Sequence, residues 1–268
     1  MLPKTIAVKK TAIATLQNEW PTAIALASLV LAFYLILINL FSFSLYIFSG
    51  TLAKIIMFTI FVAVIIFIGI PLFMGMLRNF WGMASESPLK ITEIFYYFSS
   101  KAAYKRITVF TFLILGRLVV RAVLLLLPSF IIGLISKYST ILFANSSEPL
   151  WFSNIWIFEL LLRAIAICGI IYMAFRYYLA PFILIADEGI SELACVQKAY
   201  VVSKQSMGSF ISLFFSLVGW ILLSVFFVPM IFTLPYMTMC YIVHSRYSAV
   251  YYNEKLKKYN SNVLEVSL

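Results

Sequence analysis

The sequence predicts an all-α polytopic membrane protein, and three observations lead to that class. Apolar residues make up 63% of the chain and charged residues 11%, whereas a soluble domain carries about 45–50% and about 25%. The apolar residues form runs long enough to cross a bilayer as helices. The 25 Phe and 16 Tyr are typical of helical membrane proteins, which place aromatic side chains at both membrane interfaces.

Six apolar runs are candidate transmembrane helices, since a helix crosses the hydrocarbon core in about 20 residues. The last run, from Gly208 to His244, has the length of two spans, and Pro229 and Pro235 predict the turn that divides it. The six helices then form three hairpins within a single integral membrane domain over residues 1–268. The predicted spans are 22–47, 52–77, 107–135, 152–179, 209–228 and 233–252.

The second span contains a proline, Pro71, in its last third. Proline has no backbone N–H, so the carbonyl four residues earlier loses its usual helical donor. Within a membrane such a kink is tolerated when a neighbouring group satisfies that carbonyl.

Amphipathic helices are predicted over 4–20, 90–105 and 189–206, each before one hairpin. In the second of these, apolar residues recur at helical spacing, namely Ile91, Ile94, Phe95, Phe98 and Ala102. The third follows Asp187, Glu188 and Glu192, and acidic residues complement the dipole at a helix start. Asp187 is accordingly interpreted as a helix-start residue rather than a catalytic one.

The basic residues predict the orientation. The formal net charge is +10, from 20 Lys and Arg against 10 Asp and Glu, and most of the basic residues fall in segments on one side of the predicted spans. Lys and Arg accumulate on cytoplasmic loops, so both termini are predicted to be cytoplasmic. A nucleic-acid partner is not predicted, because the basic residues form no continuous patch.

Two four-residue segments suggest an internal repeat. Ile91-Thr92-Glu93-Ile94 resembles Ile190-Ser191-Glu192-Leu193, and each precedes an apolar hairpin. The N-terminal twenty residues occupy the same place before the first hairpin. One interpretation is a unit used three times, with a surface helix, a span out and a span back. The alternative is that any bundle with an even number of helices consists of hairpins.

The segment Pro71-Leu72-Phe73-Met74-Gly75-Met76-Leu77-Arg78 and a longer stretch from Pro181 to Trp220 carry a resemblance. The chain resembles a family of bacterial inner-membrane proteins of unknown function. That family is similar to the membrane domain of some glycerophosphoryl diester phosphodiesterases. Further residues that carry the resemblance are Ala186, Asp187, Ser191, Ala194, Lys198, Ser203, Gly208, Gly219, Trp220, Pro235, Tyr236 and Ala249-Val250-Tyr251-Tyr252. The resemblance implies a six-helix domain in the bacterial inner membrane and implies no chemistry.

Enzyme classes are disfavoured by the inventory of reactive residues. A catalytic zinc site usually takes three protein ligands, and the chain has one histidine, His244, for which an interfacial hydrogen bond is predicted. The three cysteines are far apart in sequence, and no Gly-rich phosphate loop, GxSxG or HExxH motif is present. No enzymatic activity, metal or cofactor is predicted.

Four charges within the third and fourth spans form the predicted site. Arg117 and Arg121 are four residues apart, as are Glu159 and Arg163, so each pair shares one face of its helix. Charges within a bilayer face the bundle interior and are usually paired. Counting from the predicted helix ends places Arg121 level with Glu159 and predicts an ion pair between them. The remaining positive charge suggests an anionic guest such as a phospholipid head group, or arginines that bond only to the protein.

Three functions are compatible with these residues. The leading hypothesis is a non-enzymatic membrane protein that binds or handles anionic lipid, or supports upkeep of the envelope. The first alternative is a transporter of small solutes or peptides, acting as a homo-oligomer. The second is a scaffold or accessory subunit whose amphipathic helices contact a cytoplasmic partner.

Overall fold

The structure is a computed structural model that describes residues 5–48, 50–142 and 155–266, and their side chains except at 139–142, 227 and 255–266. Every regular element within these ranges is a helix. Five helical segments in this part of the chain are long and apolar enough to cross a membrane. They are Trp20–Ile47, Thr51–Ala84, Lys101–Tyr138, Ile155–Ala186 and Glu192–Leu223. The predicted all-helical membrane class is therefore confirmed.

The chain divides into two compact units. Unit 1 contains residues 1–111 and 179–268, and unit 2 contains residues 112–178. Unit 2 is thus inserted in the sequence of unit 1. Each unit is described by itself below.

Unit 1 contains most of the helices. Its first part includes a π-helical turn, Ile65–Gly69, and a 3-10 helix, Ile91–Phe95. Its helices are α1 (Thr5–Leu16), α2 (Trp20–Ile47), α3 (Thr51–Val64), α4 (Ile70–Ala84), α5 (Tyr96–Ser99), the first residues of α6 (Lys101–Leu142), α8 (Ala180–Ala186), α9 (Glu192–Leu223) and α10 (Phe227–Val266).

The core of unit 1 surrounds α10, which packs against α1, α2, α4 and α9. On α1 the buried residues are Val8, Ala12 and Leu16, four residues apart and therefore on one face. On α10 the apolar Met239 and the polar His244 are both buried. A helix enclosed by protein can carry polar groups that find partners there, as His244 does with Ser209 of α9.

Pro71 follows a π-helical turn, and a side chain donates to the carbonyl four residues before it. The π-helical turn Ile65–Gly69 precedes Pro71, and the hydroxyl of Tyr104 donates to the carbonyl of Phe67, four residues before the proline, at 3.0 Å. The extra residue of a π turn and an external donor are two recognised responses to a proline within a helix. The tyrosine hydroxyl therefore satisfies the carbonyl that Pro71 leaves without its helical donor.

The 3-10 helix Ile91–Phe95 lies directly against α4 at Gly75. A Cβ atom at Gly75 would be 1.9 Å from the carbonyl oxygen of Ile94, well inside the contact distance of two heavy atoms. Only glycine therefore allows this approach of two backbones.

The predicted amphipathic helix over 90–105 is divided in the structure. The 3-10 helix and α5 occupy its first part, and Ser100 then adopts an extended conformation with φ −140° and ψ 144°. The hydroxyl of Ser100 accepts from the N–H of Ala103 at 3.1 Å, so α6 begins at Lys101. A serine that satisfies a free N–H of the first turn favours a helix start, and it interrupts the pattern that the apolar residues suggested.

The predicted helix over 189–206 and the span over 209–228 are one continuous helix, α9. Its N-cap is Ser191, whose hydroxyl accepts from the N–H of Ala194 at 3.4 Å. The chain turns between Leu223 and Phe227, before the predicted turn at Pro229–Pro235. Pro229 is in the first turn of α10, where a missing N–H costs no hydrogen bond, and Pro235 lies inside that helix.

Unit 2 is an antiparallel pair formed by α6, from Phe112 onward, and α7 (Ile155–Arg176). A Cβ at Gly169 would lie 3.1 Å from a methyl of Leu125, and one at Gly133 would lie 3.0 Å from Glu159 Oε1. These glycines therefore mark which residues of the two helices are opposite each other. The first three residues of the predicted span 152–179 lie outside the described residues.

Candidate functional site

The structure separates the four predicted site residues into two levels of unit 2. Glu159 lies beside Gly133 of α6, whereas Arg121 Nη1 is 3.6 Å from the sulfur of Met173 on α7. Twelve residues of α6 separate Arg121 from Gly133, which corresponds to about 18 Å along the helix. Arg121 and Glu159 are therefore at opposite levels, and the expectation that they share one level is wrong.

The ion pair of Glu159 is formed within α7. Its Oε1 accepts from Nη2 of Arg163, one turn along the same helix. The Arg163 side chain is 54% exposed and that of Glu159 23% exposed, so this pair is at the surface of the unit. The predicted Arg121–Glu159 pair does not form, because Glu159 lies opposite Gly133, twelve residues after Arg121 on α6.

The other level collects arginines and aromatic rings. Arg121 lies with its guanidinium carbon 5.5 Å from the ring centre of Tyr177. Arg176 Nη1 donates to the hydroxyl of Tyr172 at 3.2 Å. Arg117 precedes Arg121 by one turn on the same face of α6, about 6 Å along the axis. We refer to Arg117, Arg121 and Arg176 as the arginine cluster.

Arg176 is the member of the cluster that sequence reasoning missed. It was treated only as one of the basic residues that define the cytoplasmic side. A signal was available in Arg176-Tyr177-Tyr178 at the end of the fourth span, because an arginine beside tyrosines is suited to both ring stacking and hydrogen bonding. Arg176 is only 5% exposed, so it is a constituent of the packed unit.

Within the described side chains of unit 2, the arginine cluster has no carboxylate at its level. Glu159 is the one acidic residue in the ranges 112–138 and 155–178, and it is paired with Arg163 about 18 Å away. The guanidinium is planar and presents several donors, which suits phosphate oxygens.

A second polar cluster lies in unit 1, at the loop between α8 and α9. Arg78 pairs with Glu188 at 2.6 Å, and its guanidinium carbon is 3.6 Å from the ring centre of Tyr96. Arg106 Nη2 donates to the carbonyls of Asp187 and Ile190 at 2.8 and 3.2 Å. Two arginines thus fix the loop, and the cluster has a structural role.

Asp187 does not begin a helix, contrary to the interpretation from sequence. It follows the last residue of α8, and its Oδ1 accepts from the N–H of Gly189 at 3.1 Å. The N-cap of α9 is Ser191, four residues later. Aspartate commonly forms such turns with its own backbone, and the acidic pattern alone does not distinguish this turn from a helix start.

Tyr97 lies behind this cluster and is 4% exposed. Burial raises the pKa of its hydroxyl to about 12, and the positive charges of Arg78 and Arg106 lower it by a smaller amount. Tyr97 is therefore neutral at physiological pH. A neutral, buried phenol beside two charged arginines serves packing and offers no acid–base chemistry near pH 7.

His244 is buried in unit 1. Its Nε2 is 2.9 Å from the hydroxyl of Ser209, and Phe210 packs against its ring at 6.1 Å. The histidine joins α10 to α9 inside the protein.

No protein-family model matches the chain, and no match is found among curated proteins or among solved structures.

Proposed function

We propose that this chain is a non-enzymatic membrane protein that binds anionic lipid head groups at the arginine cluster of unit 2. The observation that carries the proposal is the gathering of arginines at that level. Three arginines lie within about two helical turns, and the only carboxylate among the described side chains of unit 2 is paired elsewhere. Phosphate is the anion that matches planar guanidinium groups best.

The surface of unit 2 supports a lipid ligand. Both helices expose large apolar side chains, such as Val120, Leu124 and Phe130 on α6 and Leu160 and Ile165 on α7. Such a surface requires an apolar solvent. Acyl chains can cover it while the head group contacts the arginines, so one lipid molecule satisfies both features.

The aromatic neighbours position the guanidinium groups. Tyr177 lies under Arg121, and Tyr172 accepts a hydrogen bond from Arg176. A guanidinium over a ring keeps its edge available for hydrogen bonds, because the ring contacts only its face. The cluster is therefore preorganised for an anion, which lowers the entropic cost of binding.

The test compares lipid retention by native mass spectrometry in nanodiscs that contain phosphatidylglycerol and phosphatidylcholine. Wild type should retain phosphatidylglycerol, and Arg117→Gln and Arg121→Gln should each lower retention by about tenfold, the equivalent of one charged hydrogen bond. The control is the double variant Glu159→Gln/Arg163→Gln, which removes the other charge pair of unit 2. Equal retention by all four proteins would reject the proposal.

We further propose that α10 is a sixth span and that both termini are cytoplasmic. The length of α10 supports this, since Phe227–Val266 contains 40 residues and about 20 suffice to cross the membrane. The distribution of Lys and Arg supports the orientation. The resemblance to bacterial inner-membrane proteins supports that membrane as the location.

A further inference from the structure

A half-open cleft of about 860 Å³ lies in unit 1, where α1, the end of α4 and α10 meet. Pockets that bind small molecules have volumes of about 300–1,000 Å³. At about 30 Å³ per water molecule, the cleft has room for roughly thirty waters. Its size therefore suits an organic molecule better than a single inorganic ion.

The cleft carries charges of both signs that do not neutralise each other. Glu19, from the turn between α1 and α2, and Glu86, from the loop after α4, line it together with Arg246 of α10. Among the described residues, no ion pair joins Arg246 to either carboxylate, since the pairs formed are Arg78–Glu188 and Arg163–Glu159. Separated opposite charges are the complement of a ligand that also carries both.

The position of Arg246 is fixed by a neighbouring ring. Its guanidinium carbon lies 5.8 Å from the ring centre of Trp81 on α4, within the distance of a cation–π contact. Because the ring contacts only one face, the N–H groups at the edge of the guanidinium can donate to an anion in the cleft. Arg246 is therefore the anion-binding side of the cleft.

The loop that carries Glu86 is held in a strained conformation. Glu86 has φ 56°, and in the described chain no other non-glycine residue has a positive φ. The N–H of Ser87 donates to the carbonyl of Gly82 at 3.0 Å, and the N–H of Glu86 donates to that of Met83 at 3.2 Å. Strain that the surrounding bonds maintain is concentrated at binding sites, and here it sets the position of a carboxylate at the cleft.

We propose that the cleft binds a zwitterion that combines a primary ammonium with an anionic group. The ammonium lies between Glu19 and Glu86, and the anionic group lies at Arg246. Phosphoethanolamine head groups of lipids and free amino acids or short peptides share this chemistry. The site goes beyond the lipid site proposed above, because it belongs to unit 1 and uses none of the same residues.

Two experiments on the full chain in nanodiscs distinguish the sources. In the first, native mass spectrometry compares retention of phosphatidylethanolamine and phosphatidylcholine, whose quaternary ammonium cannot donate to carboxylates. In the second, calorimetry in phosphatidylcholine nanodiscs measures binding of O-phosphoethanolamine and of diglycine. Selective retention of phosphatidylethanolamine identifies a head-group site, and binding of either soluble probe identifies a site for free zwitterions.

Variants assign the binding to the cleft. Glu19→Gln, Glu86→Gln and Arg246→Gln should each weaken binding of the preferred probe by about tenfold, as expected for loss of one charged contact. Glu93→Gln, an acidic side chain outside the cleft, is the matched control and should bind as wild type does. The proposal would be overturned if wild type bound neither the lipid nor the soluble probes. It would also be overturned if the cleft variants bound the probe as well as the control does. A negative result for the cleft does not bear on the lipid site, because the test of Arg117 and Arg121 uses different residues and a different lipid.

Discussion

At the scale of single residues, glycines differ in how closely another backbone approaches them. Gly75 approaches the carbonyl of Ile94 so closely that an added Cβ would be 1.9 Å from it, whereas nothing lies within 4 Å of an added Cβ at Gly208. Composition counts both glycines alike. The difference follows only from which backbones meet, and a single sequence does not contain that information.

Gly75→Ala should destabilise the protein by about 1–3 kcal/mol, because the 3-10 helix must move away from α4. Gly208→Ala should instead stabilise it by about 0.5–1 kcal/mol, since alanine favours a helix interior. Denaturant titration of both variants in the same detergent measures these changes. Equal effects in the two variants would contradict the close contact at Gly75.

Tyr97 gives a pH dependence with a defined sign. Its pKa is about 12 in the folded protein and about 10 in the unfolded chain, so between these values the unfolded chain loses the proton first. Stability should therefore be unaffected below about pH 10 and fall as the pH rises toward 12, by roughly 2–3 kcal/mol from this residue.

The test of Tyr97 compares unfolding of wild type and Tyr97→Phe across the alkaline range. The phenylalanine variant should lose less stability as the pH increases, because it has no proton to release. Tyr46→Phe, at a residue that is 88% exposed, is the control and should follow wild type. Parallel curves for wild type and Tyr97→Phe would show that burial of Tyr97 does not govern its ionisation.

At the scale of helices, the hydrophobic pattern predicted that a helix is present more accurately than it predicted the residues at which the helix begins and ends. The predicted spans 22–47 and 107–135 fall within α2 and α6, because long apolar runs require a helix in lipid. The ends were less accurate. Serine caps at Ser100 and Ser191 and turns without proline act locally, and a proline such as Pro235 inside a helix gives the same sequence signal as a turn.

The two segments that suggested an internal repeat have different local structures. Ile91–Phe95 forms a 3-10 helix against α4, whereas in the matching segment Ser191 caps the α-helix that begins at Glu192. The two segments share residue types but have different local structures. Contact with α4 at Gly75 constrains only the first copy, so a similar sequence in another environment folds differently.

The bond from Tyr104 to the carbonyl of Phe67 links α6 to the π-helical turn. Tyr104→Phe should destabilise the protein by about 1–3 kcal/mol, because a carbonyl near a proline loses a donor where water is scarce. Hydrogen exchange should increase in residues 65–75 specifically. Tyr46→Phe removes an exposed hydroxyl and should leave both measurements unchanged. Unaltered exchange in Tyr104→Phe would indicate that the proline needs no external donor.

At the scale of the whole molecule, the prediction of the charged site depended on the register between α6 and α7. The four charges within the spans were correctly placed in α6 and α7, but the level of each depended on helix ends that were several residues wrong. An error in register of a few residues is multiplied by about 1.5 Å per residue on both helices. The accumulated error is therefore large enough to place Arg121 out of reach of Glu159, which pairs with Arg163 instead.

The number of spans predicts which sides the two ends occupy. With six spans Lys10→Cys and Asn253→Cys should react with a membrane-impermeant maleimide from the same side, and with five they should react from opposite sides. We expect both to react from the cytoplasmic side, in a background with Cys168, Cys195 and Cys240 replaced by serine. Reaction of Asn253→Cys from the outer side would remove α10 as a span.

The packing of α10 against α1, α2 and α4 also governs how the protein is made. The ribosome adds about 5–20 residues per second, so α1 is synthesised roughly ten to forty seconds before the helix that covers Val8, Ala12 and Leu16. During that interval these side chains are open to chaperones and membrane proteases. Unit 1 can be completed only after α10 has been synthesised, so a chain that stops before Phe227 lacks the main packing partner of α1.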